Sequence, residues 1–252
     1  MRRYDYVRDS PDIRDFRFHK IAIIKEAKQL PSSFFLSPLP KIIDQEDLGS
    51  CTANAASNGL RFLLIKNNKK EFQPSRLFIY WFTRFIESDV KVDSGASLRN
   101  TLKSISKYGV SKESIWPYII SKFTIKPSKP AINDGTPHKK GFQYLSVKQD
   151  LTTIKNVISQ GYPIVLGIAV FESFESTKAT NTGNIPTPDK NNEKLLGGHA
   201  ILMVSYDDNT RKFGFMNSWG TSWGDKGFFR LNYDYILDYT LAFDFWAIRY
   251  FS

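Results

Sequence analysis

The chain has a single cysteine, Cys51, among its 252 residues, and only three histidines, His19, His138 and His199. One cysteine excludes an internal disulfide and cannot build a zinc site by itself. Secreted domains of this size often carry bridges, so the count leans toward a reducing compartment. No stretch approaches the roughly 20 consecutive apolar residues a spanning helix needs, so no membrane span is expected. Met1-Arg2-Arg3 opens with positive charge, but Asp5, Arg8, Asp9, Asp12, Arg14 and Asp15 interrupt any apolar stretch, and no secretory signal is read. These absences favour an intracellular or virion-associated location. There is no internal repeat and no low-complexity tract. A serine hydrolase is disfavoured.

The composition that remains is globular. Hydrophobic residues make up 41% and aromatics 15%, enough for a packed core rather than a disordered chain. The net charge of +10 admits nucleic acid or an acidic partner. Its basic runs, such as Lys69-Lys70 and Lys139-Lys140, are short and sit in polar loops, without zinc-finger spacing or an RNA-binding aromatic motif. The charge is therefore read first as solubility. No nucleic-acid partner, metal or organic cofactor is expected, and the chain is expected to be a monomer.

Periodicity divides the chain in two. A short helix or strand around Ile21–Ala27 is followed by a proline-punctuated extended stretch from Leu30-Pro31 to Pro40. A helix is predicted from Cys51, with Ser50 as N-cap and Leu60, Leu63 and Leu64 on one face. A second is predicted over 75–87 and a third from about Ser97 to Tyr108, stopped by Gly109. Residues 121–141, rich in Lys, Pro, Ser and Gly, read as a long loop and an internal boundary. Beyond it the pattern is strand-rich: 142–147, 164–170, 199–206, 212–217, 227–231 and 245–250, with one helix over 151–159 and a polar loop over 173–194.

Few residues can carry chemistry. A lone cysteine is most often a small buried hydrophobe. Cys51, however, falls on the predicted first turn of a helix, where the helix dipole favours a thiolate, the nucleophilic form. His19 and His138 lie in charged, loop-like surroundings where histidines are usually inert. His199 follows Gly197-Gly198 at the mouth of a strand, and the two glycines allow close approach of other backbone or a ligand. A Cys–His pair can rest as an ion pair ready to attack a carbonyl. Asn217 lies eighteen residues after His199. If their strands are antiparallel neighbours, its amide oxygen can accept the second ring N–H and fix the tautomer. The developing oxyanion needs donors, which the Cys51 N–H and the Gln45 side-chain amide can supply.

The string Asp44-Gln45-Glu46-Asp47-Leu48-Gly49-Ser50-Cys51 resembles the segment of the papain/cathepsin family in which Gln precedes the catalytic Cys by six. Gly197-Gly198-His199-Ala200 is similar to its histidine motif, and Asn217-Ser218-Trp219-Gly220-Thr221-Ser222-Trp223-Gly224 to its Asn-Ser-Trp-Gly block. His199 and Asn217 follow Cys51 by 148 and 166 residues, slightly longer than the family's own spacing, an excess the loop at 173–194 would absorb, and the similarity spans about 30–252. It implies an α+β fold of two lobes, a helical left lobe and an antiparallel, β-barrel-like right lobe, with the active site in the cleft. It implies a cysteine endopeptidase acting on polypeptides through Cys51, His199, Asn217 and Gln45. Trp219 would cover the His199–Asn217 hydrogen bond. Gly95-Ala96, Gly197, Gly198 and Ala200 would contact substrate, in an open, apolar-preferring pocket.

Three departures accompany the likeness. Leu48 stands where the family has a disulfide-bonded cysteine, Thr52 where an aromatic follows the nucleophile, and Ala96 where a second glycine is usual. Residues 30–141 are expected to form the left lobe and 142–252 the right. Residues 1–29 are expected to be a short pro-segment near the cleft or a permanent arm on the right lobe. A catalytically silent papain-like binding protein is the rival expectation.

Overall fold

Small residues decide where the first long helix lies. In the computed structural model, which describes residues 3–12, 15 and 29–250, α1 (Cys51–Lys66) is buried from Cys51 through Leu64. Ala53, Ala55, Ala56 and Gly59 let it lie against a sheet: a Cβ at Gly59 would stand 2.4 Å from Ile248 Cδ1 and 3.2 Å from Leu202 Cδ1. Any larger residue at that crossing would push the helix off the sheet. Around α1 the left lobe gathers α2 (Arg76–Ile86) and α3 (Leu98–Tyr108). The Ser75 hydroxyl caps α2 by accepting from the Phe78 N–H. Gly109, at φ 77°, ends α3 where a Cβ would meet the Gly135 carbonyl oxygen at 1.8 Å.

The right lobe is antiparallel. Its strands are β4 (Phe142–Ser146), β5 (Ile164–Phe171), β6 (Leu195–Asp207), β7 (Lys212–Met216), β8 (Phe228–Asn232) and β9 (Ala242–Tyr250), in the order β4-β9-β5-β6-β7-β8. β2 (Ser33–Phe35) pairs with the far end of β6. The end strands β4 and β8 do not pair with each other. The sheet is therefore open, and the barrel-like expectation is corrected to an unclosed sheet whose last strand, β8, is flanked by a single bridge from Asn184 to Arg230. A two-stranded parallel ribbon joins β1 (Tyr6–Val7) to β3 (Ala96–Ser97), just before α3. The α+β, two-lobe architecture is the one implied by the sequence.

Two predicted loops contain helices. Residues 121–141 hold Lys129–Gly135 and the 3-10 turn Thr136–Lys139, started by a Ser128 cap with Pro130 in the first turn. Residues 173–194 hold Thr177–Thr182, capped by Ser176. The segment Ile21–Ala27 lies outside the described residues. Ser50 occupies the N-cap position of α1 but makes no capping bond; its hydroxyl bonds the Tyr118 hydroxyl at 2.7 Å and accepts from Asn54.

Arg84 fixes the wall that leads to β3. It is fully buried, donates to the carbonyls of Val90, Val92 and Phe123, and lies over the Tyr80 ring at 4.1 Å. Arg84→Leu leaves three carbonyls without their donor. The expected loss is about 3 kcal/mol of stability, read as a lower denaturant midpoint at unchanged m.

Candidate active site

Asn217 Oδ1 accepts from His199 Nε2 at 2.8 Å and from its own neighbour's Ser218 N–H at 2.8 Å. The second bond identifies this atom as the amide oxygen, so the proton between the two side chains belongs to His199 Nε2. Strand register produces the pairing: Met216, the last residue of β7, lies opposite Leu202 in β6, three residues beyond His199. The next residue, Asn217, therefore turns back toward His199, and both are fully buried. Trp219 stacks on the imidazole at 4.6 Å with planes 25° apart, and is itself edge-packed by Trp223 and Phe174. An indole over a hydrogen bond excludes water from it.

Cys51 is the first residue of α1, and its sulfur is approached by the backbone N–H groups of Ala200 and Thr52. The first of these contacts ties the nucleophile candidate to the residue after His199, across the lobes. Gln45 reaches the same place from the loop before the helix. Its backbone N–H donates to the Ser218 carbonyl at 2.8 Å, its Oε1 accepts from the Ser218 hydroxyl at 2.6 Å, and its Nε2 donates to the Leu48 carbonyl at 3.2 Å. Ser218 thus holds both Gln45 and Asn217, and Tyr118 adds a bond to the Gln45 carbonyl. Neither Ser218 nor Tyr118 was singled out in the sequence, although Ser218 lies inside the Asn-Ser-Trp-Gly block.

A sequence profile described as papain family cysteine protease matches residues 36–241. The chain belongs to the papain family of cysteine proteases. An uncharacterized peptidase C1-like protein of Acanthamoeba polyphaga mimivirus is 37% identical over 98% of this chain and 87% of its own length. A cathepsin B-like protein of Giardia intestinalis is 28% identical over 81% of this chain and 70% of its own. Among solved structures, xylellain, a cysteine protease from Xylella fastidiosa, superposes with a TM-score of 0.92 at 37% identity, covering 99% of this chain and 96% of its own. A digestive procathepsin L from Tenebrio molitor shares the fold at 17% identity and a TM-score of 0.69, over 88% of this chain and 71% of its own.

This papain-family peptidase also contains, at Gly220-Thr221-Ser222-Trp223-Gly224, the letters Gly-x-Ser-x-Gly of serine hydrolases. Ser222 lies exposed in the turn between β7 and β8, with no helix after it, so the strand-to-helix elbow that motif requires is missing. Among the described residues no group of His, Cys, Asp and Glu could hold a metal ion, and no helix is long and apolar enough to cross a membrane. A cavity of about 620 Å³ lined by Phe34, Tyr206, Phe215 and Phe228 contains none of the four catalytic candidates.

The residues expected to bind substrate are in contact with the chain's own N-terminal segment. Tyr6 and Val7 pair in parallel with Ala96 and Ser97 on the left lobe. Asp5 bridges Gly198 on the right, and the Gly198 N–H donates to the Tyr4 carbonyl at 3.1 Å. A Cβ at Gly95 would fall 1.6 Å from the Asp5 carbonyl oxygen, and one at Gly197 2.5 Å from that of Tyr4. Tyr6 stacks on Phe243 beside Gly167, which is paired with Ala200. The segment spans both lobes, and Cys51 beneath it is wholly buried. Burial pushes the Cys51 thiol up to about 12, with the Asp5 charge adding and the Ala200 and Thr52 N–H groups opposing.

Further along, the segment is pinned at Asp9. Its carboxylate accepts from the Arg99 N–H at 3.0 Å and the Trp246 indole at 2.8 Å, while its own N–H donates to Asp244, which also accepts from the Tyr6 hydroxyl. Arg99 pairs with Asp15. Burial, and then the charge of Asp244, push the Asp9 carboxyl up to about 6. A carboxyl whose pKa is higher when docked than when solvated, near 4, strengthens docking while protonated. That contribution is full below about 4 and is lost as pH rises through the docked value. In Cys51→Ala protein, the Trp246 indole N–H resonance is expected to move with a midpoint near pH 6, and the midpoint is expected to vanish in Asp9→Asn.

Proposed function

We propose that the site hydrolyses peptide bonds within polypeptides through a thioester acyl-enzyme. Cys51 is the nucleophile, His199 its acid and base, and Asn217 the group that holds the imidazole. With its proton on Nε2, His199 exchanges protons through Nδ1. The Cys51 thiolate attacks the carbonyl carbon. The oxyanion is held by the Cys51 N–H and the remaining N–H of Gln45 Nε2. Imidazolium then gives its proton to the departing amine, leaving a thioester. Water, losing a proton to His199, attacks that carbonyl, and collapse releases the acid and restores the thiolate.

The observation that carries this reading is the 2.8 Å His199–Asn217 bond beneath Trp219, on the strand whose next N–H meets the Cys51 sulfur. A protein that only binds partners has no need of that arrangement together with a prearranged Gln45. Hydrolysis of unfolded protein and of peptides, dependent on reductant and lost in Cys51→Ala, tests it. Gln45→Ala is expected to lower kcat by about 100-fold with KM little changed, because an oxyanion donor acts only in the transition state.

Residues 1–29 are proposed to be a pro-segment that keeps the enzyme silent, with residues 30–141 and 142–252 as the two lobes flanking the cleft. Support comes from the contacts of residues 4–7 with Gly95, Ala96, Gly197 and Gly198, which are the backbone positions a substrate would need. Tyr6, between Ala96 and Gly167, marks a pocket for an apolar or aromatic side chain.

A further inference from the structure

Of the nine large apolar side chains that the described residues leave exposed, four belong to segments that meet at the C-terminal end of α2: Phe85, Val92, Ile119 and Ile125. One buried guanidinium ties those segments together. Arg84 donates to the carbonyls of Val90, Val92 and Phe123, which brings the loop after α2 against the loop 119–125. The Trp81 indole adds a bond to the Thr124 carbonyl, and Phe85 stacks on Trp81 at 5.2 Å with planes 12° apart. Loop 119–125 is itself built from short turns, in which the N–H groups of Lys122, Phe123 and Ile125 each donate three residues back. Such turns return a side chain to the same side every three residues. Ile119, Lys122 and Ile125 have that spacing, and all three are exposed.

The charge around these side chains is one-sided. Residues 114–133 contain no Asp or Glu but three lysines, Lys122, Lys126 and Lys129. With Lys91 they are exposed, and among the described residues none of the four forms an ion pair. The acids of the neighbourhood are engaged elsewhere. Glu87 accepts from the Ser97 N–H and hydroxyl and from the Asn100 amide. Asp93 accepts from the Gly49 N–H and pairs with Arg3, Asp134 pairs with Lys112, and Glu113 pairs with Arg76. Asp89 stands within reach of the charge of buried Arg84.

Exposed aliphatic side chains among unpaired lysines suit a surface that is apolar beneath an anionic layer. The aliphatics reach past headgroups to the acyl boundary while the ammonium groups stay level with the lipid charges. A nucleic acid offers the charge but rewards aromatic platforms for its bases, and three of these four side chains are aliphatic. We propose that this face of the left lobe is a docking site for an anionic lipid bilayer, held by shallow insertion of Phe85, Val92, Ile119 and Ile125 and by the charges of Lys91, Lys122, Lys126 and Lys129. The proposal does not depend on peptide hydrolysis. It gives a role to the Lys- and Pro-rich stretch beyond residue 121 and to part of the net charge of +10.

The test is cosedimentation of the full-length chain with vesicles of phosphatidylcholine, either pure or with roughly one-third phosphatidylserine, at about 0.15 M salt. Binding to the anionic vesicles is expected to be at least 100-fold tighter. Lys122→Gln together with Lys126→Gln should weaken it on the order of 30-fold. Ile119→Ser together with Ile125→Ser should weaken it at least tenfold, because the apolar contact is lost with every charge kept. Lys69→Gln together with Lys70→Gln removes the same charge from the turn after α1 and should change binding by no more than about threefold, since distant charges are screened. All six substituted side chains are exposed, so the variants keep the fold. Equal losses in the two lysine pairs would show adsorption of a cationic protein with no docking face and would overturn the proposal. So would an isoleucine pair that binds like the wild type. Retention of a single-stranded polynucleotide, lost with Lys122 and Lys126 and accompanied by no binding to either vesicle, would replace the bilayer with a nucleic acid.

Discussion

Removal of residues 1–29 is expected to speed alkylation of Cys51 by iodoacetamide at pH 7 on the order of 100-fold. In the full chain burial beneath the docked segment pushes the thiol up to about 12, and the Asp5 charge of that segment adds to it. An ordinary thiol ionises near 8.5, so the docked sulfur gives up about three and a half decades of thiolate at neutral pH. A less basic thiolate is intrinsically the weaker nucleophile, which returns about half of that on a logarithmic scale. The net effect is the expected hundredfold, before His199 and the α1 dipole add to it. The full chain should alkylate ever faster as pH climbs past 10, whereas the shortened chain should level off at or below neutrality. Equal rates in the two chains would show that the segment does not gate the cysteine.

The second large effect is on turnover. Cys51→Ala is expected to lower kcat/KM for peptide hydrolysis on the order of 10⁵-fold or more, because every covalent step passes through the sulfur. What survives is the contribution of the donors at Gln45 and of substrate binding, which operate without a nucleophile. Cys51→Ser should fare little better. A hydroxyl in this place gains little from a helix dipole and an imidazole arranged to hold a thiolate–imidazolium pair. The loss should appear in kcat rather than KM, and the variant should still bind the polypeptides it cannot cut.

The catalytic candidates were legible because chemistry limits the choice: with one cysteine and three histidines, strand-mouth glycines and a helix start single out Cys51 and His199. Long elements were legible because they bury a face over several turns or alternations. The helix Leu151–Ser159 and the strand Ile164–Phe171 fall where periodicity put them. Helix Lys129–Gly135 was missed because its Lys, Pro and Gly content reads as loop, although Ser128 two residues before Pro130 is itself a helix-start signal. The sheet's open form could not be read at all, since strand order and closure are set by pairing rather than by any one strand's pattern. The ribbon of Tyr6–Val7 with Ala96–Ser97 was hidden for a different reason. Two-residue strands have no period, and the contact joins positions 90 residues apart. With that ribbon went the occupied cleft. Ser50 stands at the N-cap position its place in the sequence suggested, but Tyr118 and Asn54 compete for its hydroxyl, so it makes no capping bond.

The central claim is that a sulfur at the tip of α1 is made reactive by an imidazole on the opposite lobe. Its most direct test is the rate at which an epoxysuccinyl peptide labels the chain lacking residues 1–29, followed by intact-protein mass spectrometry in the wild type and in His199→Ala. A single adduct on Cys51, forming at least 100-fold faster in the wild type, is the expected result. Equal labelling of both proteins, or an adduct on any other residue, would contradict it.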